Sequence, residues 1–160
     1  IYLGAKCAFC ISGSSGFNAV PLILRRPIVI TNDAPFGYQW TSSDLFIGMT
    51  RHHYSAQEER ELTLREIFST GAGFYVHGNE FESQSIQLIE NSPEEIRDIS
   101  VEMASRLKGT WEAQEGDEEL QQRFWDIYPA ETLKNGKPLH GAIRSRIGAA
   151  FLRANQAWLE

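Results

Sequence analysis

Cys7-Ala8-Phe9-Cys10-Ile11-Ser12-Gly13-Ser14-Ser15-Gly16, then an apolar segment, then Arg26-Pro27-Ile28-Val29-Ile30-Thr31-Asn32-Asp33, is the stretch on which the fold turns. An apolar run, a Gly/Ser loop, a second apolar segment and a short β-branched run read in that order as strand, loop, helix and strand, a single βαβ unit. Ligands of open α/β sheets bind beyond the carboxyl ends of the strands, where this loop falls. Gly13 and Gly16 allow a tight turn and close approach of the backbone to a ligand, and Ser12, Ser14 and Ser15 add hydroxyls. Backbone N–H groups that open a helix, with the helix dipole behind them, suit a phosphate. The loop has neither the lysine of a Walker A sequence nor the G-x-G-x-x-G dinucleotide pattern, which argues against a nucleoside triphosphatase or a simple dehydrogenase. A plain turn between strand and helix is the competing reading. Asn32 and Asp33 close the second strand at the same rim, either to meet a sugar hydroxyl or phosphate-flanking group or to stop the strand as an Asx turn.

Working outward, residues 1–5 read as the tail of a helix, 6–12 and 27–31 as strands and 16–25 as a short helix with Pro21 near its start. Residues 32–61, with Pro35, Gly37 and Gly48, read as a long irregular connection, functional or covered by a missing partner. Thr63 and Glu66 form a capping box for a helix over 63–69, residues 71–84 are Gly-rich and polar, and 85–89 are extended. Ser92-Pro93-Glu94-Glu95 is a strong helix start, and Ile96, Ile99, Met103 and Leu107 continue it as a stripe ending near Gly109. Further helices are expected over 117–128, with Leu120, Phe124 and Ile127 inward, and over 141–154, with Ile143, Ile147, Ala150 and Phe151 on one side. Asn135-Gly136-Lys137-Pro138 reads as a turn. The expected fold class is α/β: one domain over 1–160, with a partial Rossmann-like βα part over 1–91 and a helical C-terminal extension over 92–160.

The chain has 160 residues, enough for one domain with its own core. A net charge of −6 without a basic face argues against a nucleic-acid partner, and no apolar run approaches the ~20 residues that span a bilayer. The first residue, Ile1, stands almost against a core-like strand, which is expected of a piece of a longer protein. Cys7 and Cys10 read as small buried residues on opposite faces of a strand, reduced, as in a cytoplasmic protein.

Arg51-His52-His53-Tyr54 places a cation and two imidazoles in the long connection, which makes Arg51 and His52 candidates for holding a phosphate or moving a proton, against a reading as solvated loop residues. No metal site is expected, because no cysteine or carboxylate cluster has ligand spacing. Glu58-Glu59 and Glu94-Glu95 read as solvated or capping charges. Arg144, Arg146 and Arg153 read as an anion clamp or, more commonly for such residues, as surface charges or partners of the acidic helices.

The segments Cys7–Gly16 and Arg26–Asn32, with Leu62-Thr63-Leu64-Arg65-Glu66-Ile67, Ile89-Glu90-Asn91-Ser92-Pro93-Glu94-Glu95-Ile96 and Ile143-Arg144-Ser145-Arg146-Ile147-Gly148-Ala149-Ala150-Phe151-Leu152-Arg153-Ala154-Asn155, are spread over most of the chain. In them the chain resembles the C-terminal part of bacterial glycosyltransferases of surface-polysaccharide synthesis, of GT-B-like architecture. The last segment is fairly specific to that family; the first two recur in other sugar-nucleotide enzymes, including nucleotide-sugar 2-epimerases. The resemblance implies a Rossmann-like domain of GT-B C-terminal type that binds a nucleotide-sugar donor as substrate. The site residues it implies are Ser12, Gly13, Ser14, Ser15 and Gly16, with Asn32 and Asp33 at the rim. It implies no metal and no other cofactor. It also implies a glycan or lipid-linked acceptor, an N-terminal domain absent here, without which the fragment is inactive, and a place in the cytoplasm or at the inner membrane surface. The alternatives are a nucleotide-sugar 2-epimerase-like fragment and a non-catalytic sugar-nucleotide or protein-interaction module.

Overall fold

Ile28, Val29 and Ile30 are all buried, as expected of a strand covered on both faces. The computed structural model describes residues 1–13, 15–129, 133–134, 137–138 and 141–160. In chain order its elements are α1 (Tyr2–Lys6), β1 (Cys10–Ser12), α2 (Ala19–Ile23) entered through a 3-10 turn at Gly16–Asn18, β2 (Ile28–Asp33), β3 (Phe46–Thr50), β4 (His52–Ser55) and β5 (Arg60–Glu61). There follow α3 (Leu64–Ser69), α4 (Gly78–Ser83), β6 (Ile86–Ile89), α5 (Pro93–Lys108), α6 (Asp117–Ile127), β7 (Leu133–Lys134), β8 (Lys137–Pro138), β9 (Arg146–Ile147) and α7 (Ala149–Ala154).

Four strands form a parallel sheet in the order β1-β2-β3-β9. Cys10 pairs with Ile28, Ile28 with Phe46, and Ile47 with Arg146, and the β2–β3 register shifts between Ile30 and Asp33. Beyond the carboxyl end of β3 the chain runs into an antiparallel sheet in the order β5-β4-β6. The fold is therefore mixed α/β around a parallel sheet.

One face of the parallel sheet sends Val29, Ile47 and Met49 into the main core, where Ile99, Met103, Phe124, Phe151 and Leu152 of α5, α6 and α7 meet them. The other face sends Ile28, Ile30 and Phe46 toward Trp40 and Leu45. Alternate strand residues facing opposite ways account for the split.

Several sequence expectations change here. Residues 32–61 are not irregular: they hold β3, β4, β5 and a 3-10 turn at Phe36–Tyr38. Every residue of β3 is buried, so it shows no alternating pattern to read. The helix expected over 141–154 is confined to Ala149–Ala154, preceded by β9. Ile143 and Ile147 have helical spacing, but Ile147 reaches the core from a strand. Thus β9, from the half read as helical, completes the sheet of the first half, and residue 91 marks no structural boundary. The first strand is shorter than 6–12: α1 runs to Lys6, and Cys7 follows it rather than lying in β1. Both cysteines are half-buried and free. The Gly-rich stretch 71–84 contains a 3-10 turn at Ala72–Phe74 and α4. Asn135 and Gly136 lie outside the described residues; the flanking β7 and β8 pair antiparallel.

Other expectations hold. Ser92 and Glu95 form a capping box with Pro93 in the first turn of α5, Thr63 and Glu66 do the same for α3, and Gly109 closes α5 at φ 68°. The acidic helices bind the basic C-terminal segment: Arg146 Nη2 donates to Glu118 at 2.5 Å and Arg153 Nη1 to buried Asp117 at 2.5 Å. The Gln121 side chain pairs with the backbone of Ile147 as a neighbouring strand would, accepting from its N–H and donating to its carbonyl.

Candidate functional site

Two cavities adjoin at the α2 side of the sheet. The first, of about 320 Å³, lies at the carboxyl ends of β1 and β2, where Ser15, Gly16, Asn18 and Asp33 line it. The second, of about 290 Å³, is bounded by Leu22 and Phe46. Tyr38, Gln39 and Trp40 line both. Ligand pockets of roughly 300–1,000 Å³ combine aromatic walls with a few placed polar groups, and the pair has that character.

The buried side chains of Asn18, Asp33 and Gln39 are among the polar groups that line the pair. Asn18 is buried, and its Nδ2 donates to the Gly13 carbonyl at 2.8 Å, which fixes the amide and leaves Oδ1 without a partner. Gln39 is also buried, with Oε1 unpartnered. Buried polar atoms are rarely left so, and each marks a place where a bound group can complete the hydrogen bonding. Asp33 adds a buried carboxyl. Among the described residues lining the two cavities none is Lys or Arg.

The wall that carries Tyr38, Gln39 and Trp40 is anchored from below. Tyr128, at the end of α6, donates from its hydroxyl toward the carbonyls of Gly37 at 3.1 Å and Phe36 at 3.3 Å. Burial, reinforced by the Asp33 charge, pushes the Tyr128 hydroxyl well above its ordinary pKa, so it stays a donor. A Cβ on Gly37 would stand 2.8 Å from the Gly73 carbonyl, so this approach requires glycine.

The residues expected to form the site divide. Ser15, Gly16 and Asp33 line the first cavity. Ser12 ends β1, half-buried, with its hydroxyl on the Gly13 carbonyl at 3.1 Å. Gly13 lies at the base of the loop as the acceptor for Asn18. Ser14 lies outside the described residues. Asn32 has φ 52° and is tied to Asn91: its N–H donates to Asn91 Oδ1 at 2.7 Å and its Oδ1 accepts from Asn91 N–H at 2.6 Å. That reciprocal pair makes Asn32 a link between β2 and the start of α5.

Arg51 and His52 are not loop residues; Arg51 joins β3 to β4 and His52 opens β4. Neither lines the two cavities. Arg51 pairs with Glu90 at 3.6 Å. His52 is flanked by carboxylates, Glu61 at 3.3 Å from Nδ1 and Glu95 at 3.0 Å from Nε2, which makes it a clamp between β5 and the α5 capping box. Sequence reasoning missed Asn18, Tyr38, Gln39 and Trp40. The available signal was Tyr38-Gln39-Trp40 itself, an amide between two large aromatics in a connection otherwise read as irregular.

Among the described residues no group of three or more His, Cys, Asp or Glu is arranged to hold a metal ion, and no helix is long and apolar enough to cross a membrane. Comparisons with protein-family models, curated proteins and solved structures find no match to the chain.

Proposed function

We propose that the chain binds a nucleotide-sugar and is the donor-binding portion of a glycosyltransferase of GT-B-like fold acting in surface-polysaccharide synthesis. The carrying observation is the polar cavity at the carboxyl ends of β1 and β2, with unpartnered oxygens on buried Asn18 and Gln39. Unpartnered acceptors beside a carboxyl favour a ligand rich in hydroxyl donors, as ribose and hexose rings are. The adjoining cavity, walled by Tyr38, Trp40 and Phe46, suits a planar base.

With no Lys or Arg lining either cavity, the diphosphate charge falls to backbone N–H groups where Ser15 and Gly16 lead into the helical turn, whose first donors have no acceptor within it. Those donors would steady the leaving diphosphate as the glycosidic bond breaks, the logic of an oxyanion hole. The reading involves no metal, and the acceptor is a glycan or a lipid-linked glycan.

Calorimetric titration of UDP, GDP, CMP and dTDP tests the reading. One nucleotide is expected to bind, and Gln39→Leu is expected to weaken it about tenfold, the value of a hydrogen bond to a buried group, without unfolding the chain. A folded chain that binds none of the four overturns the reading.

A further inference from the structure

A third cavity, of about 470 Å³, lies at the amino ends of β3 and β9, where Asp44 leads into β3 and Arg144 and Ser145 lead into β9. It is separate from the donor cavities, and its chemistry differs. Some of its donors lack acceptors. Ser145 is buried with Oγ unpartnered, and Arg146 has Nε buried and unpartnered although its Nη2 is held by Glu118. The Arg144 side chain is exposed, and among the described residues nothing pairs with it.

Trp125 supplies a wall. Phe124 at 4.7 Å and Tyr128 at 5.2 Å meet its ring edge-to-face, so it is held rigid and half-buried. Asp44 and Glu118, both exposed, bring carboxylates.

We propose that this cavity binds a sugar ring bearing one carboxylate, of the hexuronic acid class. The sugar carboxylate pairs with Arg144 in the bidentate geometry that guanidinium favours. It also accepts from the unpartnered donors of Ser145 and Arg146. The apolar face of the ring lies on Trp125, and its hydroxyls donate to Asp44 and Glu118. Inorganic phosphate fits less well, since it has no apolar ring face to lay on Trp125 and, as its dianion, a single proton to donate to the two carboxylates. A neutral sugar leaves the Arg144, Ser145 and Arg146 donors without a charge to meet.

Titration of glucuronic acid into the full chain, followed by amide chemical shifts, tests this, with glucose and inorganic phosphate as comparisons. Glucuronate is expected to bind with a Kd of roughly 1 mM, near −4 kcal/mol, and to shift the amides around Trp125 and Ser145. Arg144→Ala, at an exposed side chain, is expected to weaken it at least tenfold while the circular dichroism spectrum and nucleotide binding stay unchanged. Ser145→Ala is expected to weaken it less. The proposal is overturned if the folded chain ignores glucuronate, if glucose or phosphate binds as tightly, or if Arg144→Ala leaves the affinity unchanged.

Discussion

His52 and His53 are neighbours in sequence with opposite surroundings, because β4 turns successive side chains to opposite faces. His53 is buried, its ring 6.1 Å from that of Phe81, and its Nδ1 lies 3.0 Å from the Arg51 carbonyl, which it meets as a donor. Burial pushes its pKa down to about 4, the backbone acceptor opposing and the His52 charge assisting. An unfolded histidine titrates near 6.5. As pH falls the unfolded chain therefore takes up the proton first, so the contribution is whole above about pH 6.5 and is lost progressively toward pH 4. The full effect is about 3 kcal/mol. Urea-unfolding free energies at pH 7.5 and pH 5, for the wild type and His53→Phe, isolate it from the other titrating groups. The wild type is expected to lose more than the variant, and equal losses would rule the account out. Residue type did carry part of the candidate site: Asp33, Ser15 and Gly16 stand in a pattern that announces a strand end and a loop. Asn18 and Gln39 matter because tertiary packing buries an oxygen and leaves it unpaired, a property no local pattern encodes.

At the scale of elements, helix ends were legible and strands much less so. Capping chemistry is local, three residues apart, which is why Ser92–Glu95 and Thr63–Glu66 could be read directly. β3 is buried on both faces, and β9 is two residues long and completed by the Gln121 side chain, so neither has a period to detect. The junction that holds β9 and α7 in place is Glu102 of α5, a buried carboxylate that accepts from Ala149 N–H at 2.7 Å and from Arg106 Nη2 at 2.8 Å. Glu102→Gln turns one acceptor oxygen into a donor facing either a guanidinium or an N–H, and strips a partly buried cation of its partner. Breaking such a pair costs about 3 kcal/mol. The Arg97–Asp98 pair on the same helix is exposed, and Arg97→Ala is expected to change stability by about 0.5 kcal/mol or less. Chemical denaturation of the two variants checks both values, and similar effects for the two would refute the role given to Glu102.

At the scale of the whole molecule, the core draws on both halves of the chain. Val29, Ile47 and Met49 come from the first 91 residues and Ile99, Phe124, Phe151 and Leu152 from the rest, and they form one cluster. Aromatic contacts cross in the same way: Phe36 meets Phe124 at 5.6 Å and Trp158 at 6.2 Å. The parallel sheet lacks its fourth strand without β9, and the wall that carries Tyr38, Gln39 and Trp40 loses its anchor without Tyr128. A chain cut between residues 91 and 92 would leave the first piece with an uncovered sheet face and the second with helices that have nothing to pack on. Each buried large apolar side chain contributes roughly 1.5–3 kcal/mol, and the net stability of a domain is only about 5–15 kcal/mol, so neither piece can retain the fold. The pieces 1–91 and 92–160, produced separately, are expected to give collapsed amide spectra with little dispersion, and the first piece to bind no nucleotide. Mixing the two is expected to restore dispersion to the extent that β9 finds β3. A dispersed spectrum from 1–91 alone would mean that the βα part holds its own core, and the account of a shared core would then be wrong.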